Sequence, residues 1–227
     1  HLHVHTEYSL LDGLSRLEAT VERAAELGMD ALAITDHGVM YGAIDFYRIA
    51  KRHGVKPIIG CEVYVAPDSR HSRDPADKRP YHMTMLAKNE TGYKNLVKLV
   101  SKAQLEGFYY RPRLDRDLLE RYHEGLVVLS GCPSGEVPKA IAEGRLDDAR
   151  AAAGWYRDTF DDYYFELMRH DGVPDLPPIN EGLTDLSQDL GIPLVATNDL
   201  HYVHQADAPL QDILICIHTN TNVQDQK

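Results

Sequence analysis

The chain has 227 residues, 43% of them hydrophobic and 26% charged, a balance that excludes a disordered or collagen-like protein. Lys and Arg total 24 against 35 Asp and Glu, so the formal net charge is −11. That sign does not suit sequence-independent duplex binding by phosphate neutralisation, and any nucleic acid must be held locally, by a metal or a basic neighbour. The three cysteines, Cys61, Cys132 and Cys216, are too few for a disulfide framework and point to a reducing, cytoplasmic setting. No apolar run approaches the ~20 residues of a membrane span, so no membrane partner is expected. The chain opens on His rather than Met, which leads us to expect one domain, residues 1–227, within a longer chain. Twelve histidines are the anomaly of the composition.

Short aliphatic or β-branched runs alternate with amphipathic helical patterns, which predicts a parallel α/β architecture. Residues 2–5 read as a first short strand. Ser15 and Glu18 have capping-box spacing and open a helix with Leu17, Val21, Ala24 and Ala25 as its apolar stripe and Gly28 at its end. A strand over 31–35 leads to a helix from about Tyr41 to His53, and a third strand over 57–65 leads to a polar loop, 67–79. A strand over 81–87 precedes a helix over 92–105. Further strands are expected at 126–129, 164–167 and 193–196, separated by helical stretches around 136–160 and 179–190. A last helix, 207–218, runs into a tail, 219–227, that shows no natural cap. Seven strands with intervening helices suggest a barrel, whose chemistry belongs at the carboxyl ends of its strands.

The unusual polar residues fall largely at those ends. On a strand, His3 and His5 point to one face and can converge on one metal. Asp36-His37-Gly38 follows a buried strand, and Glu62 places a carboxylate inside an apolar one. Such a charge needs a cation, whether a metal or an Arg or Lys partner. Cys61 faces the other way and reads as core. His82 opens a strand, and Cys132 lies in a Gly-rich turn as either a thiolate ligand or a nucleophile. Asp199 and His201, two apart, follow the last strand. With Asp12 the set is His3, His5, Asp12, His37, Glu62, His82, Cys132, Asp199 and His201. Nine ligands exceed one tetrahedral ion and suit two or three with a bridging carboxylate, an arrangement typical of phosphoester hydrolysis.

These motifs resemble the PHP (polymerase and histidinol phosphatase) domain family: His3-Val-His5-Thr, Ser9-Leu-Leu-Asp12-Gly13, Thr35-Asp36-His37-Gly38, Gly60-Cys-Glu62, His82, Gly131-Cys132 and Asp199-Leu-His201. Tyr8-Ser-Leu-Leu-Asp-Gly, Leu86-Ala-Lys-Asn and Gly131-Cys-Pro-Ser-Gly-Glu are closer to the family's branch in bacterial replicative DNA polymerase III alpha subunits. The resemblance implies a distorted (β/α)7 barrel with a trinuclear metal cluster at the C-terminal ends of the strands. His3, His5, Glu62 and Asp199 would hold one metal, Glu62, His82 and Cys132 a second, and Asp12, His37 and His201 a third. Zinc is the first choice, with manganese or iron as alternatives. The implied activity is metal-dependent 3′–5′ exonuclease proofreading, with Asp199, His201 and His37 closest to the chemistry and Asp36, with Asn198 as a second candidate, orienting a ligand. The implied partners are a DNA primer 3′ end, the remaining polymerase domains and other replisome subunits. Two other readings share the motifs, a phosphomonoesterase and a metal-stabilised non-catalytic module. Arg111, Arg113 and Arg116, the basic loop of Arg70, Arg73, Lys78 and Arg79, and a base-stacking pair, Tyr109 and Tyr110, are candidate contacts to phosphate or DNA, though a solvated surface explains any one of these charges. His170 is a further candidate for the site.

Overall fold

The computed structural model describes residues 1–10, 12–170 and 173–224; Leu11 of the Ser9–Asp12 motif and the end of the tail lie outside them. Among these residues seven strands form one curled sheet: β1 Ala31–Ile34, β2 Lys56–Val65, β3 Tyr81–Ala87, β4 Arg113–Leu114, β5 Leu126–Leu129, β6 Asp162–Met168 and β7 Leu194–Thr197. Their order is β1-β2-β3-β5-β6-β7, with β4 paired to β2. Among the described residues eight helices flank it: α1 Leu17–Glu26, α2 Ala43–Arg52, α3 Glu90–Glu106, α4 Arg116–Arg121, α5 Glu136–Ala142, α6 Leu146–Thr159, α7 Leu176–Leu190 and α8 Ala208–Thr219. The larger core lies between the sheet and the outer helices, around Met85, Leu96, Leu99, Val128 and Phe165. A second core, with Val4, Val21, Leu32 and Phe46, lies under α1 and α2. Cys61 belongs to the larger one, as its position opposite Glu62 required.

Seven strands are present, but not the seven expected. Residues 2–5 form only isolated bridges. They nonetheless join the two edges of the sheet. Thr35 N donates to Val4 O at 2.8 Å on the β1 side, and His5 N donates to Leu200 O at 2.7 Å beyond β7. The short β4 makes up the count. The larger departure is direction. β3 runs antiparallel to both β2 and β5, whereas β1–β2, β5–β6 and β6–β7 are parallel. The segment between β2 and β3 carries only a single 3-10 turn, Pro75–Lys78, and a parallel return would need a full crossover helix.

The helix ends also differ from expectation. Ser15 makes no cap; its carbonyl accepts from Glu7 N at 3.0 Å, and Glu7 Oε1 instead accepts from Leu17 N at 3.2 Å. Glu18 reaches outward to Arg52 at 2.7 Å and His53 at 2.9 Å. At the other end α8 does have a C-cap, with Asn220 left-handed (φ 55°) and Thr221 N donating to Cys216 O at 3.0 Å.

Candidate metal centre

The reversal of β3 explains an oddity of the sequence. His82 opens its strand, yet the reversed strand sets that start beside the carboxyl end of β2, where His82 pairs with Tyr64. Glu62, the turn after β5 that holds Cys132, and residues 199–201 beyond β7 meet at the same end. His3 and His5 arrive from the N-terminal segment between the sheet's edges, fully buried.

Four donor atoms converge most closely. His3 Nε2 lies 3.1 Å from His5 Nε2, 3.1 Å from Glu62 Oε2 and 3.3 Å from Asp199 Oδ1. His5 Nε2 lies 3.1 Å from Asp199 Oδ1 and 3.7 Å from Glu62 Oε2. Tetrahedral bonds of about 2.0–2.1 Å put neighbouring donors roughly 3.3–3.4 Å apart, so these four atoms have the spacing of ligands around one ion. Asp199 Oδ1 is buried without a hydrogen-bond partner, as is Asp12 Oδ1. Buried carboxylate oxygens in that state call for a cation. The donor set therefore fits a metal.

Two further groups adjoin it. Glu62, His82 and Cys132 can hold an ion, with His82 Nδ1 3.1 Å from Glu62 Oε1 and 3.5 Å from Cys132 Sγ. His5, His37 and His201 form the third group, and Asp12 Oδ2 sits 2.9 Å from His37 Nε2. All nine expected residues thus come together. His5 faces both the first and third groups, where the family resemblance assigned it to one.

Behind the donors, other residues fix ring orientation. His3 Nδ1 donates to Glu166 Oε1 at 2.7 Å, His5 Nδ1 to Ser9 Oγ at 2.9 Å, and His201 Nδ1 to Asp199 O at 2.8 Å. Each bond leaves Nε2 facing the centre, the arrangement carboxylate–histidine–metal sites share. Asp36 accepts from Ser9 Oγ at 2.7 Å and Thr6 N at 2.7 Å, and so reaches His5 through Ser9 instead of bonding the adjacent His37 ring as expected. Asp199 is held left-handed (φ 46°), a conformation Asp tolerates and which lets its carbonyl meet His201. Asn198 and His170 line a cavity of about 790 Å³ beside Asp12, Asp199 and His201.

The electrostatics match an ion-binding cluster. Burial opposes charge on His37, but Asp12 and Glu62 outweigh it and raise its pKa to about 10. Burial likewise opposes charge on His3, yet Glu166 and Asp199 hold it well above the ordinary imidazole value. Burial takes His5 down to about 4. Against the cost of burial, the surrounding histidines hold Glu62 and Asp199 well below the usual carboxylate range. Burial, reinforced by Glu62 and Asp199, pushes the Cys132 thiol well up. That gives no support to a free nucleophilic thiolate, while the geometry groups Cys132 with Glu62 and His82 as residues that could hold an ion. Glu62 has histidines as its ion-pair partners, and neither Arg nor Lys lies against it among the described residues.

The sequence reading missed Glu166, buried in β6, where Thr197 Oγ1 also donates to it at 2.5 Å. It also grouped three arginines that the structure separates. Arg113 is fully buried and donates to backbone carbonyls of Gly107, Arg70 and Ser72. Arg116 pairs with Glu136 over the Trp155 ring. Arg111 alone lies near the centre, over Tyr64. Arg70 is taken up by Glu106, Asp115 and Asp117, while Arg73, Arg113 and Lys78 cover the Tyr109 and Tyr110 rings.

The PHP domain model matches residues 1–170. The chain belongs to the PHP domain family. Along its whole length it is 48% identical to DNA polymerase III subunit alpha of Borreliella burgdorferi. It is 49% identical, over 99% of its length, to that of Treponema pallidum. It spans about a fifth of the length of those relatives. Two solved structures share the fold at 16% identity. One, from Bifidobacterium adolescentis, is provisionally assigned as a metal-dependent phosphoesterase (TM-score 0.52, covering 88% of this chain and 86% of that one). The other is a two-domain protein from Bacteroides vulgatus with a predicted PHP-like metal-dependent phosphoesterase (TM-score 0.51, 90% and 52%). No helix among the described residues is long and apolar enough to cross a membrane.

Proposed function

We propose that this PHP domain is a metal-dependent phosphodiesterase within a DNA polymerase III alpha chain, removing nucleotides from a primer 3′ end. The observation that carries the reading is the placement of Glu62. Its Oε2 lies within 3.1 Å of His3 Nε2 and its Oε1 within 3.1 Å of His82 Nδ1, so one carboxylate would serve both the His3–His5–Asp199 and the His82–Cys132 groups when they hold metal. The imidazole, carboxylate and thiol donors suit zinc first, with manganese or iron at positions away from Cys132. His3, His5, Glu62 and Asp199 would hold one ion, Glu62, His82 and Cys132 a second, and Asp12, His37 and His201 a third.

Such a cluster activates water and neutralises charge on phosphoryl oxygens. The chain's own residues do the rest. Glu166, Ser9 and the Asp199 carbonyl fix the imidazoles so that Nε2 faces the centre. His37 is held between Asp12 Oδ2 and Glu62 Oε1, which fixes its ring at the edge of the centre. Asp199 and His201 border the cavity and orient the ester there. The similarity to polymerase subunits favours a DNA strand as substrate over a small phosphate ester.

The test is hydrolysis of a 3′-mismatched, end-labelled primer by the full-length chain, with metals quantified on the same sample and Asp199→Ala in parallel. A polymerase-inactivated background separates the two activities. Metal-dependent loss of 3′ nucleotides that vanishes in the variant is expected. A primer left intact by fully loaded protein rejects the nuclease reading, and a screen of small phosphate esters then separates a phosphomonoesterase from a non-catalytic module.

A further inference from the structure

The nine donors and their supports account for the centre itself but, among the described residues, leave a cation beside it, Arg111, unassigned. Residues 109–112, Tyr-Tyr-Arg-Pro, make a tight bulge: Tyr110 is left-handed (φ 60°) and Tyr109 N donates to Arg111 O at 3.0 Å. A left-handed tyrosine is strained, so packing must hold the bulge in place. Pro112 supplies that packing. A Cβ on Gly38 would stand 2.7 Å from Pro112 Cγ and 3.2 Å from the Tyr64 ring, so the bulge sits directly on the residue that follows His37. Arg111 is thereby laid over Tyr64, its Cζ 5.6 Å from the ring centroid.

Tyr64 follows Glu62 by two positions on β2 and so shares its face of the strand. Its buried ring lies 5.1 Å from that of His82 and 6.3 Å from that of His37. Arg111, Tyr64 and the two histidines thus form a row from solvent to the centre. A cation–π contact at this distance does not use up the guanidinium N–H donors, which can grip two oxygens of one anion. Neighbouring arginines are already engaged, Arg70 and Arg116 by carboxylates and Arg113 by backbone carbonyls. Arg111 has no carboxylate partner among the described residues.

We propose that Arg111 binds phosphate, meeting the non-bridging oxygens of a phosphoester on the His37–His82 side of the centre. The inference rests on the phosphoesterase reading above for its substrate class. Two sources share that chemistry, a nucleic-acid strand and a small phosphate ester.

The experiment compares metal-loaded full-length wild type with Arg111→Gln and Arg111→Lys. Metal content is measured on each, inorganic phosphate binding by calorimetry, and KM and kcat on the mismatched primer. With metal content unchanged, Arg111→Gln is expected to weaken phosphate binding roughly ten- to hundred-fold, the range for losing a charge-assisted bidentate pair. Arg111→Lys, which keeps charge but not the fork, should recover only part of that. A matching rise in primer KM with little change in kcat identifies a strand phosphate. Weakened phosphate binding with primer hydrolysis absent or unaffected identifies a small ester and leaves the nuclease reading to fall separately. Phosphate binding unchanged in Arg111→Gln, or absent from wild type, overturns the proposal.

Discussion

A carboxylate behind a histidine decides which ring nitrogen faces a metal. Glu166 does this for His3, and it is itself held by Thr197 and by Thr84, whose Oγ1 donates to its Oε2 at 3.3 Å. Replacing it with Gln keeps the shape but lets the amide donate as well as accept, so the His3 tautomer is no longer fixed. Glu166→Gln is expected to lose roughly 10- to 100-fold in metal affinity while remaining folded, as is usual for such supports. Competition with a chromophoric chelator, alongside circular dichroism, measures it; unchanged affinity in a folded variant would remove Glu166 from the centre. The residue was legible by the rule that exposed Glu62: a carboxylate inside an apolar strand needs a partner. What the sequence hides is which partner. His3, Thr84, Thr197 and Glu166 belong to four segments far apart in the chain, and only the closed sheet brings them together.

At the scale of elements, direction was harder to read than position. Strand runs show in hydrophobic patterning, which is the same for a strand and its reverse. The parallel expectation failed at β3 because the segment from 66 to 80 lacks a crossover helix, and the short β4 shows no pattern at all over two residues. The capping box at Ser15 failed because tertiary pairing used that backbone first, through the Thr6–Ser15 bridge. Turn chemistry proved more reliable. Gly131 is left-handed (φ 84°), and a Cβ there would meet the His82 carbonyl oxygen at 2.5 Å. This close passage is what brings Cys132 to His82. Gly131→Ala should push the turn away from β3 and break the Cys132–His82 pair while leaving His3, His5 and Asp199 in place. Cobalt substitution reports it: the cobalt–thiolate charge-transfer band should disappear from the variant, and a band of full intensity would show that the turn tolerates the change. Gln211 makes a comparable tie from α8, its Nε2 donating to the Asp12 carbonyl. Gln211→Leu is expected to loosen the Asp12 loop and weaken metal at the His37 group first, by roughly the same 10- to 100-fold if that tie supports the site as other outer contacts do. Stepwise chelator release, with a faster first phase in the variant, is the measurement; release identical to wild type would count against it.

For the whole molecule, an excess of acidic groups and a buried cluster of carboxylates raise one question: what balances them. In the metal-free chain the answer is protons. His37 holds one up to about pH 10 against an ordinary value of 6.5. A raised folded-state value contributes stability that is complete below 6.5 and is lost as pH rises through about 10. Asp12, Glu62 and Asp199 are depressed, so their contribution is present above their ordinary values of 3.8 to 4.5 and is lost as pH falls through the lower folded ones. His5, lowered to about 4, costs stability as pH falls below 6.5, so the metal-free chain should be most stable near pH 6.5 and decline toward pH 10 as His37 loses its proton. Bound cations replace the protons, so the loaded protein should melt higher throughout and lose the alkaline decline. The same exchange predicts proton release on metal binding at pH 8, visible as a dependence of the binding heat on the buffer's ionisation enthalpy. Melting curves of stripped and reloaded protein from pH 5 to 10 check the first part, and calorimetry in two buffers checks the second. A metal-free melting temperature that is flat above pH 6.5, or a binding heat independent of buffer, would mean that protons do not stand in for the ions. The cluster's balance would then have to come from elsewhere in the acidic chain, where pairs such as Arg23–Glu26, Lys94–Glu90 and Arg150–Asp189 are exposed and too weak to supply it.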